Sequence, residues 1–292
     1  MPGADAQLLA VDGPSLIYRA FFALPDSITG KDGTPVNALL GSTNALLRIC
    51  ADHPVRAVVV CWGAEAAAYR AEAFPPYHAD RPPVPDGLAP QIAAAPAFYE
   101  AFGWATADAG DLEADDLLGS YALAEEEAGG TTLIVTGDRD LYQCASEKTR
   151  VLYLKTGVKG FEEVGPEEVR KRYGVPPELV PDFIALRGDP SDSLPGAKGI
   201  GEKTASELLR KYGSLEEAIA KALRETPRVR AALHDQGDML ATFKDIATLR
   251  RIDVERPPDR ETDLAGGAEA ARGQGMFRLA ERLEKATSVA DL

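Results

Sequence analysis

A dense group of carboxylates constrains this chain more than any other feature. Residues 111–116 hold four acidic side chains, and two more follow an apolar run at 131–136; the six are Asp111, Glu113, Asp115, Asp116, Asp138 and Asp140. Carboxylates this close repel one another, so a folded protein tolerates them only where water or a cation surrounds them. For either segment taken alone, a solvated helix cap or an Asp-rich turn remains an alternative to a cation site.

The flanking residues favour a cation. Apolar residues after Asp116 have helical spacing, which predicts that residues 113–116 form the first turn of a helix, where negative charge is favourable. Glu113 and Asp116 then share one face and Asp115 points about 100° away, so the turn can offer oxygens to more than one ion. Oxygen ligands without His or Cys suit Mg²⁺ or Mn²⁺ better than zinc.

Short buried strands alternate with amphipathic helices in the first half of the chain. The apolar runs at 8–11, 56–62, 131–136 and 151–154 predict strands, with helices after the first strand and again after Pro35. This order predicts an α/β fold with right-handed crossovers and a mostly parallel sheet covered on both faces. Asp12, Asp138 and Asp140 each follow a strand. Because ligands bind beyond the carboxyl ends of parallel strands, the sequence predicts a divalent metal site there.

Residues 74–96 interrupt this pattern. They hold seven prolines, and with Arg70, His78 and Arg81 they predict an irregular basic excursion in place of a long helix. A long loop in a compact domain is usually functional or disordered.

After Val164 the sequence predicts short helices around a glycine-rich segment, residues 188–204. This segment fails the pattern of a nucleotide-binding phosphate loop, because its lysine is one residue too far from Gly201 and no strand precedes it. A glycine hairpin before a helix at 204–212 could instead hold a phosphate with backbone N–H groups, Lys198 and Lys203. An ordinary helix hairpin remains the alternative. A Gly- and Ala-rich link over 265–275 and an amphipathic segment at 276–283 follow.

Composition leaves the partner open. The net charge of -14 by itself argues against binding a polyanion, yet a carboxylate cluster loaded with divalent ions would present a neutral or positive face. The 3 cysteines have no paired spacing and predict free thiols of a reducing compartment. No apolar run approaches the ~18 residues of a membrane span. We therefore expect a cytoplasmic monomer without membrane contact.

In order along the chain, these motifs resemble the 5′ nuclease family, which includes flap endonucleases and the N-terminal 5′–3′ exonuclease domain of bacterial DNA polymerase I. The resemblance covers roughly residues 7–255, and the segments that carry it are 11–13, 18–22, 77–82, 113–116, 136–141, 188–192 and 196–204. It implies a PIN-like core at 1–164 with a helical arch at 70–100. A helical DNA-binding subdomain with a helix-hairpin-helix-like motif at 165–255 and a C-terminal extension at 256–292 would follow. Without a polymerase domain, the chain looks like the stand-alone form.

The resemblance also implies an activity and a site. The activity is that of a metal-dependent, structure-specific 5′ nuclease, with exonuclease and flap endonuclease modes, acting on flapped, nicked or recessed DNA in replication and repair beside a DNA polymerase and a ligase. Two or more Mg²⁺ or Mn²⁺ ions would be held by Asp12, Glu113, Asp115, Asp116, Asp138, Asp140, Asp189 and Asp192. The residues that would draw the phosphodiester into the site are Arg19, Arg70, His78 and Arg81. The duplex backbone, with K⁺ beside it, would lie on Gly196, Lys198, Gly199, Gly201, Lys203 and Thr204.

Three positions depart from the family pattern. Gly63 stands where an aspartate is usual, His78 where a lysine is usual and Ser193 where an asparagine is usual. An aspartate at 63 would be expected to tighten metal binding, unless Glu65 already compensates. Because of these departures, a second function remains an alternative: a degenerate protein that binds flaps or junctions and cuts them weakly or not at all. A small-molecule phosphohydrolase is a third alternative, but it explains neither the hairpin nor the basic excursion.

Overall fold

A computed structural model describes residues 6–155 and 160–292. Across those residues the centre of the fold is a 6-stranded sheet in the order β3-β2-β1-β4-β5-β6. Its strands are β1 Gln7–Asp12, β2 Val55–Trp62, β3 Ala105–Asp108, β4 Thr132–Thr136, β5 Thr149–Leu154 and β6 Phe161–Val164. Strands β1 to β5 are parallel, and β6 pairs antiparallel to β5. The mostly parallel α/β sheet predicted from the sequence is confirmed.

Helices cover both faces of this sheet because its central strands are buried on both sides. Along β1, Leu8 and Ala10 enter one apolar cluster while Leu9 and Val11 enter the other. The helices of the second cluster are α1 Gly13–Ala23, α2 Asn37–Asp52, α4 Ala89–Glu100, α12 Leu264–Gly273 and α13 Phe277–Lys285. Those of the first are α5 Ala114–Glu127, α6 Pro166–Tyr173, α7 Val180–Arg187, α8 Glu202–Tyr212, α9 Leu215–Ala220, α10 Pro227–Asp235 and α11 Gly237–Ala247. The short α3, Ala68–Ala73, packs near α11.

Several elements differ from the sequence predictions. Strands β3 and β6 were not predicted, because each has only 4 residues and few buried side chains. Helix α4 includes Pro90 and Pro96. The prediction that prolines exclude a long helix from residues 74–96 was therefore wrong for the last part of that segment. Pro90 lies in the first turn, where no N–H partner is needed, and only Pro96 removes an internal hydrogen bond.

The predicted Gly- and Ala-rich link at 265–275 is also wrong, because most of it is helix α12. Close packing explains its composition. A Cβ atom on Gly267 would lie 2.4 Å from the Phe102 ring, so only glycine lets this helix approach the ring. Helix α13 confirms the amphipathic segment predicted at 276–283, with Leu279 and Leu283 buried. Across the described ranges, no helix is both long enough and apolar enough to span a bilayer.

Candidate functional site

The carboxyl ends of β1, β2 and β4 and the beginning of α5 surround a cavity of about 550 Å³. The parallel register places Val11 beside Val135, so Asp12 and Thr136 end neighbouring strands. Nine of the predicted catalytic or metal-binding residues line the cavity: Asp12, Arg70, His78, Arg81, Glu113, Asp115, Asp138, Asp140 and Asp192. Arg19, Asp116 and Asp189 are not among its lining residues.

Thr136 joins the two strand ends. Its hydroxyl donates to Asp12 Oδ2 at 2.7 Å and accepts from the Asp138 N–H at 2.9 Å. Asp12 Oδ1 accepts from the Ser15 N–H at 2.9 Å and so caps α1. The sequence analysis did not identify Thr136. The available signal was a hydroxyl at the end of a β-branched run, directly before Gly137 and Asp138.

Three carboxylates face the cavity with few or no hydrogen-bond donors. In the part of the chain that the structure describes, no hydrogen bond reaches the side chain of Asp115 or Asp140. Asp138 accepts one, from the Asp140 N–H at 2.9 Å. Burial, and then the charge of Asp192, raises the pKa of Asp138 to about 7. Burial, and then Asp138, also raises the pKa of Asp115 and of Asp140 well above the usual range.

This donor set fits a divalent cation. Desolvated carboxylates that raise one another's pKa are stabilised in their charged form by a cation placed among them. All the donors are hard oxygens, the ligands that Mg²⁺ and Mn²⁺ prefer. Among the described residues, no three His, Cys, Asp or Glu side chains converge closely enough to form a ready metal-ligand group. The carboxylates therefore frame a cavity and do not form a closed coordination sphere.

Glu113 and Asp116 have other partners. Arg70 Nη1 lies 2.7 Å from Glu113 Oε2, and Arg70 Nη2 donates to Asp116 Oδ1 at 2.9 Å. Asp116 is fully buried and also accepts from the backbone N–H groups of Glu113 and Arg250. Both oxygens of Asp116 are thus used inside the protein. Asp116 is also absent from the cavity lining, so in this structure it offers no oxygen to an ion there, which differs from the expectation.

Arg70 likewise differs from the expectation that it reaches a phosphodiester. Its side chain is only 2% exposed, and Nε donates to the Ile246 carbonyl at 3.0 Å. Burial acts to lower the pKa of Arg70, but Glu113 and Asp116 outweigh it and raise that pKa. Glu113 also accepts from the Ala67 N–H at 2.7 Å and from the Tyr77 hydroxyl at 3.0 Å. Arg70 therefore joins α3, α5 and α11 beneath the cavity, and Tyr77 is a partner that the sequence analysis missed.

The basic excursion closes one side of the cavity. His78 adopts a left-handed backbone with φ 54°, and its ring stacks on Tyr77 at 3.9 Å. Its Nε2 lies 2.8 Å from Asp192 Oδ1, and its Nδ1 lies 2.9 Å from the Glu65 carbonyl. Arg81 Nη2 is 2.8 Å from the same Nε2 atom and 3.7 Å from Asp192 Oδ1. His78 and Arg81 thus stand where the sequence analysis expected them, beside the acidic group.

Arg19 and Asp189 lie at the margin of the cavity. Arg19 Nη2 donates to the Gly137 carbonyl at 3.1 Å, and its charge acts on Asp12. Asp189 accepts from the Ser191 N–H at 2.8 Å and pairs with Arg187 at 3.2 Å, while its charge helps to raise the pKa of Asp138 after burial and Asp192. Ser193, at the position where asparagine is usual, has φ 61°, a conformation that asparagine adopts more readily.

Gly63 packs directly against the segment that presents the α5 carboxylates. A Cβ atom there would lie 2.5 Å from the Leu112 carbonyl oxygen and 2.8 Å from the Ala114 nitrogen. The neighbouring Ala64 N–H donates to the same Leu112 carbonyl at 2.8 Å. Backbone atoms cannot move aside like a flexible side chain. The structure therefore leaves little room for the aspartate that was expected to tighten metal binding.

The glycine hairpin of residues 196–204 lies directly after the Asp192 loop. Gly196 and Gly199 have φ 66° and 81°, a left-handed conformation that favours glycine. Gly201 precedes α8 without a side-chain cap, and the helix begins at Glu202, two residues before the predicted start. Lys198, Gly201 and Lys203 are exposed, while Thr204 is half-buried. The hairpin thus presents two lysines beside an open helix N-terminus.

Two family models match the chain along most of its length. Residues 7–174 match a 5′-3′ exonuclease N-terminal resolvase-like domain, and residues 175–264 match a 5′-3′ exonuclease C-terminal SAM fold. A protein named 5′-3′ exonuclease from Streptomyces coelicolor is 38% identical over 278 residues, which cover 89% of this chain and 90% of that protein. The thermostable DNA polymerase I of Thermus thermophilus is 38% identical over 283 residues, 95% of this chain but 32% of the polymerase. The chain thus spans about a third of that polymerase's length.

Solved structures of similar fold include nucleases and DNA-bound proteins whose fold this chain shares. The T5 D15 protein co-crystallised with metal ions has a TM-score of 0.70 at 15% identity, covering 97% of this chain and 99% of that one. The catalytic core of Rad2 in complex with DNA substrate has a TM-score of 0.65 at 16% identity, covering 96% of this chain and 92% of that one. At these identities the likeness shows the fold alone. Together with the two family models and the Streptomyces relative, it leads to one conclusion, that the chain belongs to the 5′-3′ exonuclease family.

Proposed function

We propose that this chain is a divalent-metal-dependent, structure-specific 5′ nuclease that hydrolyses phosphodiester bonds in DNA with 5′ flaps, nicks or recessed 5′ ends. One observation carries the proposal. Asp12, Asp115, Asp138, Asp140 and Asp192 line a single cavity, and burial together with mutual repulsion raises the pKa of Asp138 to about 7. Such an arrangement costs stability unless cations occupy it, so it fits a site that binds them.

In this proposal two or more Mg²⁺ or Mn²⁺ ions are held mainly by Asp115, Asp138 and Asp140, whose oxygens accept the fewest hydrogen bonds. Asp12 and Asp192, which line the same cavity, would complete the ligand set. When bound, the ions supply Lewis-acid chemistry that activates water and neutralises charge on the phosphoryl oxygens. Asp189 is not a lining residue, and we assign it to the electrostatics of the site and to the shape of its loop.

The remaining side chains hold the ligands and the substrate in place. Thr136 holds Asp12, and the buried Arg70 holds Glu113 and Asp116 so that Asp115 between them faces the cavity. Arg81, with 39% of its side chain exposed, is the arginine best placed to meet an incoming phosphodiester. His78 beside it has both ring nitrogens against other groups, the Glu65 carbonyl and Asp192, so we assign it to holding this segment in place beside the phosphate. Arg19, behind Gly137, adds positive charge.

The hairpin supplies a second contact with DNA. Backbone N–H groups at the start of α8, together with Lys198 and Lys203, suit the phosphates of a duplex without reading bases. We assign K⁺ to the carbonyl groups of the same turn. In this arrangement residues 1–164 form the nuclease core with an arch at 70–100, residues 165–255 the DNA-binding subdomain, and 256–292 an extension that packs on the core.

We further propose a monomer that acts beside a DNA polymerase and a ligase in the cytoplasm. The thiols support a reducing compartment. Cys50, Cys61 and Cys144 are all free, and burial raises the pKa of Cys50 and of Cys144 to about 12. Such thiols react slowly and need no disulfide partner.

A 5′-labelled flap substrate tests the proposal. The protein is incubated with Mg²⁺ or Mn²⁺ and with a single-stranded control of the same sequence. The expected result is cleavage near the junction of the flap and not of the control. Absence of cleavage at every metal concentration, with intact folding, would contradict the assigned activity.

A second candidate is a flap- or junction-binding protein that cuts weakly. Two observations favour it, since Gly63 has no room for a carboxylate and His78 is already held by Asp192. The same substrate separates the two candidates. Binding measured by fluorescence anisotropy without cleavage supports the second, whereas cleavage that rises with metal concentration supports the first.

A further inference from the structure

A group of unpaired cations extends beyond the glycine hairpin. Within residues 6–155 and 160–292, the side chains of Lys198, Lys203, Arg224 and Arg228 make no hydrogen bond, ion pair or ring contact. Exposed arginines elsewhere are commonly paired; for example Arg272 lies 2.7 Å from Glu284. Residues 198–228 hold seven Lys or Arg side chains and five Glu side chains, so this segment carries a net charge of +2 in a chain whose net charge is -14.

Arg228 belongs to the surface of the hairpin although it lies on α10. A Cβ atom on Gly199 would lie 2.6 Å from Arg228 Nη2 and 2.7 Å from Arg228 Nε. The guanidinium therefore rests against the backbone of the turn that carries Lys198. Since Gly199 has φ 81° and no side chain, it admits this close approach. The tertiary structure thus places beside the hairpin a cation that residues 196–204 do not themselves contain.

Arg224 continues this surface before α10. It ends the short turn at 222–224 and is exposed. The adjacent Glu225 does not neutralise it, because that carboxylate accepts from Lys211 Nζ and from the Tyr212 hydroxyl, each at 2.5 Å. Arg230 Nη2 donates to the carbonyls of Leu223 and Glu225, which ties the turn to α10.

We propose that Arg224 and Arg228 bind backbone phosphates of the DNA duplex, so that the duplex contact runs from the hairpin onto the beginning of α10. This inference rests on the proposed function. A guanidinium offers two parallel donors to a phosphate, and phosphate contacts position DNA without reading its sequence. An acidic peptide would also match the charge, but Arg228 rests against the hairpin to which we assign the duplex backbone, which favours phosphate.

The test is the salt dependence of binding. A fluorescent flap duplex is titrated with the whole protein in Ca²⁺ at several KCl concentrations, and affinity is plotted against salt on logarithmic axes. Each lost phosphate contact lowers the slope by about 0.9, so Arg224→Gln with Arg228→Gln should lower it by about 1.8. Between 50 and 200 mM salt, the unmodified protein should then lose about 12-fold more affinity than the double variant.

Controls separate this inference from the proposed function. Arg278→Gln removes an exposed arginine of α13, which has no hydrogen bond or ion pair with any residue that the structure describes and lies on the opposite face of the sheet, and it should leave the slope unchanged. Arg228→Lys keeps the charge and should keep the slope. If the hairpin variant with Lys198→Ala and Lys203→Ala lowers the slope while the double arginine variant does not, the α10 contact is refuted and the proposed function stands. If the unmodified protein binds no DNA, both are refuted.

Discussion

Replacing Gly63 by alanine or aspartate is expected to destabilise the protein and to weaken its affinity for divalent metal. The added Cβ atom would lie 2.5 Å from the Leu112 oxygen, 2.8 Å from the Ala114 nitrogen and 2.9 Å from the Glu113 carbonyl carbon. The backbone of Gly63 is not in the left-handed region, so the clash alone decides the outcome. Relief requires the segment 112–114, which leads into Asp115, to move away.

The magnitude follows from the cost of overpacking. Forcing an extra carbon into a filled site costs roughly 1–3 kcal/mol, and each kcal/mol lowers the midpoint of thermal unfolding by about 2–4 °C in domains of 150–250 residues. A decrease of roughly 2–12 °C is therefore expected for Gly63→Ala. Gly63→Asp should lower the midpoint further, because its carboxylate adds charge beside Glu113.

Two measurements check this prediction. Differential scanning calorimetry gives the unfolding midpoint, and isothermal titration calorimetry with Mn²⁺ gives the metal affinity. Gly273→Ala is a matched control, because a Cβ atom at that position in the last turn of α12 meets nothing within 4 Å. It should leave the metal affinity unchanged and should not lower the unfolding midpoint, because alanine is more favourable than glycine in a helix. If Gly63→Asp unfolds at the original temperature and binds Mn²⁺ more tightly, the close packing at 112–114 is wrong, and the missing carboxylate limits metal binding.

Three further predictions concern the same cavity. Asp138→Asn should abolish flap cleavage and leave duplex binding within about 2-fold, because it removes charge at the metal site and not at the hairpin; full activity at ordinary metal concentration would contradict the assigned site. In the metal-free protein, burial and then Asp192 raise the pKa of Asp138 from 3.8 to about 7, so the native state holds a proton that the unfolded chain releases. The free energy of unfolding should therefore fall as pH rises from about 4 to 7, and urea titrations should show a flatter fall for Asp138→Asn. Arg70→Ala leaves two buried carboxylates without their cation and should lower the free energy of unfolding, measured in urea, by about 3–5 kcal/mol. Arg70→Lys should recover part of that free energy. A decrease below about 1 kcal/mol would show that the ion pairs contribute little to stability.

Sequence periodicity and strand-end positions predicted the frame of this site. The β1 and β4 runs are short and apolar, β1 ends at Asp12, and Asp138 comes two residues after the end of β4, so a parallel sheet places Asp12 and Asp138 at one edge. The beginning of α5 was predicted within one residue, because an acidic first turn and helical apolar spacing are both local signals. Helix α12 was missed, since packing against Phe102 and not intrinsic propensity explains its glycines.

What the sequence by itself determined is which acidic residues lie near the site; the tertiary structure decided which of them face it. Glu113, Asp115 and Asp116 look equivalent as metal ligands in the sequence, but each residue of a helix turns about 100° from the last. Arg70, more than forty positions earlier in the chain, forms ion pairs with Glu113 and Asp116, and Asp115 alone of the three carboxylates faces the cavity without such a partner. In the same way Gly63 looks like a lost ligand in the sequence. Only the approach of the 112–114 backbone shows that no side chain fits there, because long-range contacts of this kind leave no local pattern.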